Sequence, residues 1–196
     1  DDDCDYPSLD IDGADGLHLA YEYWDGGGDA NIQYNSMPYG GAWGGASENA
    51  SNGEIDAQYP SLVVDAAGEP YVTYTWLDTG STDITIRHNH RTGGVGWDVP
   101  ITASGADILC TSAFWSIPFS LPMRGSRFAY DPVSGGLYVS YPSMDASGTL
   151  RMKANYYNPV SGYGAPETVL GVDQNMQTDI AVGPSGTPNV AWVHQD

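Results

Sequence analysis

The residues with the most chemical promise in this chain are a few aromatic rings, a few arginines and many aspartates. Trp24 and Trp115 offer broad apolar ring faces, and Arg124 and Arg127 are scarce cations nearby in the sequence. A ring face flanked by hydrogen-bonding groups is the usual platform for stacking on a sugar. Tyr23 and Trp76 fall at equivalent positions of a repeated pattern and read as packing residues. Asp25, Asp78, Asp145 and Asp196 end four equivalent segments, LHLAYEYWD, PYVTYTWLD, LYVSYPSMD and PNVAWVHQD. Each can cap the turn that follows by accepting backbone N–H groups, and Asp25, Asp78 and Asp145 are also candidates for contacting a ligand. Asp10, Asp12 and Asp15 alternate with other residues in DIDGADG, as the oxygen ligands of a calcium loop would, but no closing Glu follows. Calcium is thus the one cofactor the residues point to. His88 and His90 are two apart, too few for a metal site on their own, and read as polar residues at a strand end. Glycoside cleavage needs two placed carboxylates, and no pair stands out among so many.

Short strands must position these residues. The stretch 57–91, AQYPSLVVDAAGEPYVTYTWLDTGSTDITIRHNHR, reads as three strands and two turns, and much of the chain repeats it. Leu9, Leu62, Phe128 and Ile180 mark the same slot, 53, 66 and 52 residues apart. A regular recurrence of this size marks a repeat architecture. In the second strand of each unit, large residues (Leu19 and Tyr21, Val72 and Tyr74, Val139 and Tyr141) alternate with a small one (Ala20, Thr73, Ser140, Ala191). Period-two alternation between a large face and a small face suits sheets stacked around an axis. A third strand follows at Ile32, Ile84 and Leu150, and a weaker fourth near Trp43, Trp97 and Tyr163. The expectation is an all-β chain, a β-propeller of four-stranded antiparallel blades. The units fall at 4–56, 57–104, 126–173 and 174–196, with an insertion at 105–125. About three and a half blades are present, as expected of part of a larger propeller, whose closure would come from further blades or from other copies of the chain.

Composition narrows the partners. The formal net charge is −19, with six Lys and Arg against 25 Asp and Glu. Nucleic-acid binding needs a basic footprint, so that class is excluded, and an anionic membrane surface is disfavoured. No apolar run is long enough to span a bilayer. Cys4 and Cys110 both fall near the loops of one face, so a disulfide between them is expected. It would close about a hundred residues and contribute up to ~4–5 kcal/mol. It would also place the protein outside the cytoplasm.

The phrase PSLVVDAAGEPYVTY at 60–74 resembles the repeats of secreted bacterial propeller proteins, the sialidase-like group and the propeller lectins. The resemblance implies the fold and an extracellular, cell-surface or periplasmic location. The marks of sialidase chemistry are absent: the Arg-Ile-Pro slot reads Ser126-Arg127-Phe128, and the Asp-box-like run 143–149 is one residue too long. The first expectation is a non-catalytic module that binds carbohydrate or another extracellular protein. A portion of a polysaccharide-active glycosidase or lyase, and a structural subunit of an extracellular assembly, are the alternatives.

Overall fold

The computed structural model describes residues 3–78, 83–94, 96–104, 110–111, 125–144, 150–170 and 175–194. Every regular element among them is a β-strand. Sheet 1 is formed by β1 (Asp3–Ile11), β2 (Leu17–Trp24), β3 (Ala30–Met37) and β4 (Glu48–Asn49), in that order. Sheet 2 holds β5 (Ala57–Val64), β6 (Pro70–Asp78) and β7 (Asp83–Thr92). Its outer edge is three short pieces, β8 (Gly96–Trp97), β9 (Ile101–Thr102) and β10 (Cys110–Thr111), all paired with β7. Sheet 3 holds β11 (Arg127–Tyr130), β12 (Leu137–Met144), β13 (Leu150–Asn158), β14 (Gly162–Tyr163) and β15 (Glu167–Leu170). Sheet 4 pairs β16 (Asn175–Val182) with β17 (Pro188–His194). The outer strands are broken where proline intervenes, at Pro100 and Pro166, because proline cannot donate to a ladder.

The first hairpin turn of sheets 1 to 3 has one construction, and Gly183 takes the aspartate's place in sheet 4. Asp12 Oδ1 accepts the N–H groups of Ala14 and Gly16 at 2.8 Å each. Asp65 Oδ1 does the same for Ala67 and Glu69, at 2.8 and 2.9 Å. Asp131 Oδ1 accepts from Val133 at 2.9 Å. Each turn then needs one left-handed residue. Glycine supplies it at Gly68, Gly135 and Gly186, but in the first turn Asp15 adopts φ of 63°.

The sheets pack large face on small face. Ala20 of β2 lies in one core cluster with Val72 and Tyr74 of β6, all three fully buried. A second cluster joins Ile84 and Ile86 of β7 to Phe128, Leu137, Val139 and Tyr141 of sheet 3. Side chains bind neighbouring sheets at repeated positions. Ser8 Oγ accepts the Leu62 N–H at 2.9 Å, and Ser61 Oγ accepts the Phe128 N–H at 3.0 Å. Asn89 donates to the Ala50 carbonyl at 2.8 Å, and Asn155 to the Ala103 carbonyl at 2.9 Å.

His88 departs from its expected place. It is 2% exposed, packed edge-on against Phe128, Tyr157 and Tyr163, with Nδ1 3.2 Å from the Tyr163 hydroxyl. The alternation of β7 turns it into the core between sheets 2 and 3. His90 lies nearer the surface, stacked on Tyr71 and bonded to Glu69. Burial, with the neighbouring His90 charge, pulls the His88 pKa from its usual 6.5 down to about 3.

Asp15→Gly relieves the left-handed residue and should raise stability by up to about 1 kcal/mol, read as a higher melting temperature. His88 stays neutral when folded but takes up a proton once unfolded. Its contribution is therefore present above pH 6.5 and lost as pH falls toward 3. By pH 4.5 the loss should reach roughly 2–3 kcal/mol. Denaturant melts of His88→Phe should show that part of the acid dependence gone; an unchanged pH profile would refute it.

Candidate functional site

The loop-side ends of the inner strands β1, β5 and β11 converge on one place. β1 and β5 carry the same irregularity there. The pairing of β1 with β2 slips between Asp5 and Ser8, and that of β5 with β6 between Gln58 and Ser61. Such bulges insert an extra residue and re-aim its side chain. The residues in the slot are Tyr6 and Tyr59, with left-handed φ of 49° and 56°, and Gly125, at the equivalent position just ahead of β11, has φ of 61°. Left-handed tyrosines are strained, by roughly 1–3 kcal/mol each, and such strain gathers at functional sites. Their rings meet edge to face with centroids 4.7 Å apart. Gly125 is required by close approach: a Cβ there would stand 3.0 Å from Tyr59 Cβ and 3.1 Å from its carbonyl oxygen.

A cavity of about 380 Å³ opens at this point, lined by Tyr6, Pro7, Ser8, Leu9, Tyr59, Pro60 and Arg127. Arg127 is half-buried, and its guanidinium donates to the Ser126 carbonyl at 3.2 Å. Beside the cavity, Glu22 is 2% exposed. Its Oε2 accepts the Tyr59 N–H at 3.1 Å, and its Oε1 accepts Trp24 Nε1 at 2.6 Å. Burial raises its carboxyl above the usual range, against those two hydrogen bonds, and the Asp5 charge adds a little. One buried carboxylate thus ties Trp24 to the strained backbone of Tyr59. A small cleft of about 100 Å³ lies on the other side of Trp24, with Asp56, Gln58, Thr75, Leu77 and Ile84. Burial and the Asp29 charge raise the Asp56 carboxyl as well. A larger space of about 910 Å³ separates sheets 3 and 4, but its walls include Tyr138, Ile180 and Val190 on facing strands, so it reads as a packing gap.

The residues singled out in the sequence are distributed as follows. Trp24 and Arg127 both lie at this end of the sheets. Asp25 serves its turn, its Oδ1 accepting from Gly27 and Asp29 at 2.8 and 3.0 Å. Asp78 ends β6 in register with Asp83. Trp115, Arg124 and Asp145 lie outside the described residues. Asp10 reaches across to the Val64 N–H at 2.7 Å and so joins sheet 1 to sheet 2. Asp12 holds its turn and bonds His18 Nε2 at 3.1 Å, which with the backbone bonds keeps its carboxyl below the usual range. Asp15 is the exposed left-handed turn residue. Among the described residues no group of three His, Cys, Asp or Glu could hold a metal ion.

The expected Cys4–Cys110 disulfide is corrected: Cys4 is free and exposed. β1 stands beside β5, whereas β10 is at the far edge of sheet 2, in the order β10-β7-β6-β5. Three strand spacings separate β10 from β5, roughly 14 Å, and a disulfide needs Cα atoms within about 7 Å.

Tyr6, Tyr59, Glu22 and Gly125 were not anticipated from sequence. The signal for the tyrosines was the recurrence of Tyr-Pro-Ser-Leu at 6–9 and 59–62. The signal for Glu22 was its departure from Thr75 and Pro142, which fill the same slot in the next two units.

No protein-family model and no curated protein matches this sequence. Solved structures do match in shape. An endo-arabinase from Bacteroides thetaiotaomicron aligns over 96% of this chain and 70% of its own, with a TM-score of 0.57 and 12% identity. The fold is a β-propeller. A Penicillium chrysogenum α-L-arabinanase complexed with arabinobiose aligns over 94% of this chain and 57% of its own, at TM-score 0.57 and 15% identity. An ulvan lyase aligns over 92% of this chain and 45% of its own, at TM-score 0.56 and 18% identity. The chain therefore spans between about half and 70% of these propeller proteins.

Gly125→Ala should push Tyr59 out of its present position at a cost of roughly 1–3 kcal/mol. A lowered melting temperature and a changed environment for Tyr59, read by near-ultraviolet circular dichroism, are the expected outcome. An unperturbed protein would show that the approach is looser than described.

Proposed function

We propose that this chain is an extracellular carbohydrate-binding propeller module whose ligand seats in the axial cavity at Tyr6, Tyr59 and Arg127. The observation that carries the reading is the pair of left-handed tyrosines, in repeated bulges, lining one cavity with a guanidinium. Apolar ring edges and proline faces with a few convergent polar groups are what a saccharide site requires. Trp24, held by Glu22, extends that surface away from the axis. The fold shared with an arabinanase and an ulvan lyase supports a carbohydrate ligand and an extracellular setting. In this reading Asp78, at the end of β6, is a further candidate for contacting the ligand.

Binding without catalysis is the preferred form. Among the described residues that line the axial cavity there is no carboxylate, and glycoside hydrolysis needs two. One observation favours a second form, a portion of a polysaccharide-active enzyme: Glu22, a buried carboxyl with a raised pKa, lies beside the cavity with Asp5 near it.

A glycan array followed by calorimetry tests the reading. Saccharide binding that falls roughly tenfold in Tyr6→Ala or Tyr59→Ala, with both variants folded, is expected. Absence of any saccharide binding would overturn it. Release of reducing ends or unsaturated products from a bound polysaccharide would move the conclusion to the second form.

A further inference from the structure

The repeat provides an internal control for the axial cavity. The slot before Leu9 and Leu62 holds Ser8 and Ser61, and each serine hydroxyl accepts the backbone N–H of the next sheet, from Leu62 and Phe128. In sheet 3 the same slot, before Phe128, holds Arg127. Arginine has no acceptor, so the inter-sheet bond cannot form. The N–H that the pattern would send to it, that of Ile180, is bonded instead by the adjacent Asp179 Oδ1 at 2.9 Å. Sheet 3 thus gives up a repeated structural bond and places a guanidinium in the cavity wall.

That guanidinium is not used for structure in the way other arginines are. Arg87 is bonded to Glu54 through Nε and NH2 at 3.0 and 2.6 Å, and Arg91 to Glu48 at 2.7 and 2.8 Å. Arg127 forms no ion pair among the described residues, and its NH1 donates to a neighbouring carbonyl. In a chain of net charge −19, a half-buried cation without a carboxylate partner among the described residues is an unusual arrangement. A planar guanidinium with open donors matches a carboxylate or a sulfate in a bidentate fashion.

We infer that the axial site selects an acidic saccharide, with the carboxylate or sulfate of one sugar seated on Arg127 and the sugar rings against Tyr6 and Tyr59. This rests on the carbohydrate-binding reading above and adds the charge of the ligand. The overall negative charge opposes an anion at long range, but at physiological salt that field decays within about 8 Å, whereas the Arg127 contact is direct.

The test compares matched probes on the full chain at 150 mM salt. These are oligogalacturonate and its methyl ester, a glucuronate-bearing oligosaccharide, a sulfated galactan oligosaccharide and the unsulfated galactan. The expected result is that an acidic probe binds at least tenfold tighter than its uncharged counterpart. Arg127→Gln should abolish that preference while keeping the melting temperature, and Arg127→Lys should retain part of it. A uronate preference identifies the carboxylate as the ligand group, and a sulfated-galactan preference identifies the sulfate. Equal binding of charged and uncharged partners, or an acidic preference that survives Arg127→Gln, overturns the inference and leaves carbohydrate binding standing. Binding of none of the probes overturns the inference, and a glycan array without any binder overturns the carbohydrate reading as well.

Discussion

A serine hydroxyl that accepts the next sheet's amide proton holds these sheets in register. Ser8 to Leu62 and Ser61 to Phe128 are single hydrogen bonds, each contributing only about 1 kcal/mol net. Their importance lies in what they satisfy. An inner strand packed against its neighbours carries amides that water cannot reach, and a buried donor without an acceptor costs 1–3 kcal/mol. The serine answers that need while fixing the height of one sheet against the next. Asn89 and Asn155 do the equivalent at the outer strands, through the Ala50 and Ala103 carbonyls. Between these two rows the large-on-small packing of Ala20 against Val72 and Tyr74 needs no further direction.

The functional surface grows out of the same rows. The strained tyrosine sits two residues before each serine, with proline between them, so the bond that aligns the sheets also fixes the bulge that turns Tyr6 and Tyr59 toward the axis. Glu22 adds a second constraint by accepting the Tyr59 N–H from the neighbouring sheet. Among the described residues the cavity is therefore shaped by interactions between sheets. Where the repeat is broken, at Glu22 and Arg127, polar groups replace the repeated residues and come to the cavity or its support.

Much of the fold was legible because alternation in β2, β6 and β12 is strict and the turns carry Asp and Gly at fixed offsets. The long-range consequences were less so. His88 looked like an exposed strand-end residue because its neighbours in sequence are polar, yet the partner sheet brings Phe128, Tyr157 and Tyr163 around it. The disulfide was inferred from proximity on one face, without the lateral distance that the broken outer strand of sheet 2 introduces. DIDGADG reads equally as a cation loop and as a turn because a turn cap and a metal ligand are both aspartate oxygens; in the structure Asp10 and Asp12 accept the Val64 and Gly16 N–H groups. Left-handed backbone at a tyrosine before proline has no simple sequence signature, so of the cavity lining only Arg127 was singled out from sequence.

The most direct measurement is the melting temperature of Arg127→Ser beside that of Ser61→Ala. If the serine slot is the alignment bond and Arg127 is its functional exception, a serine at 127 can accept the Ile180 N–H. Its melting temperature should then rise above that of the parent, while Ser61→Ala falls below it. A fall in both would contradict this: Arg127 would then be a structural residue, and the break in the repeat would carry no functional meaning.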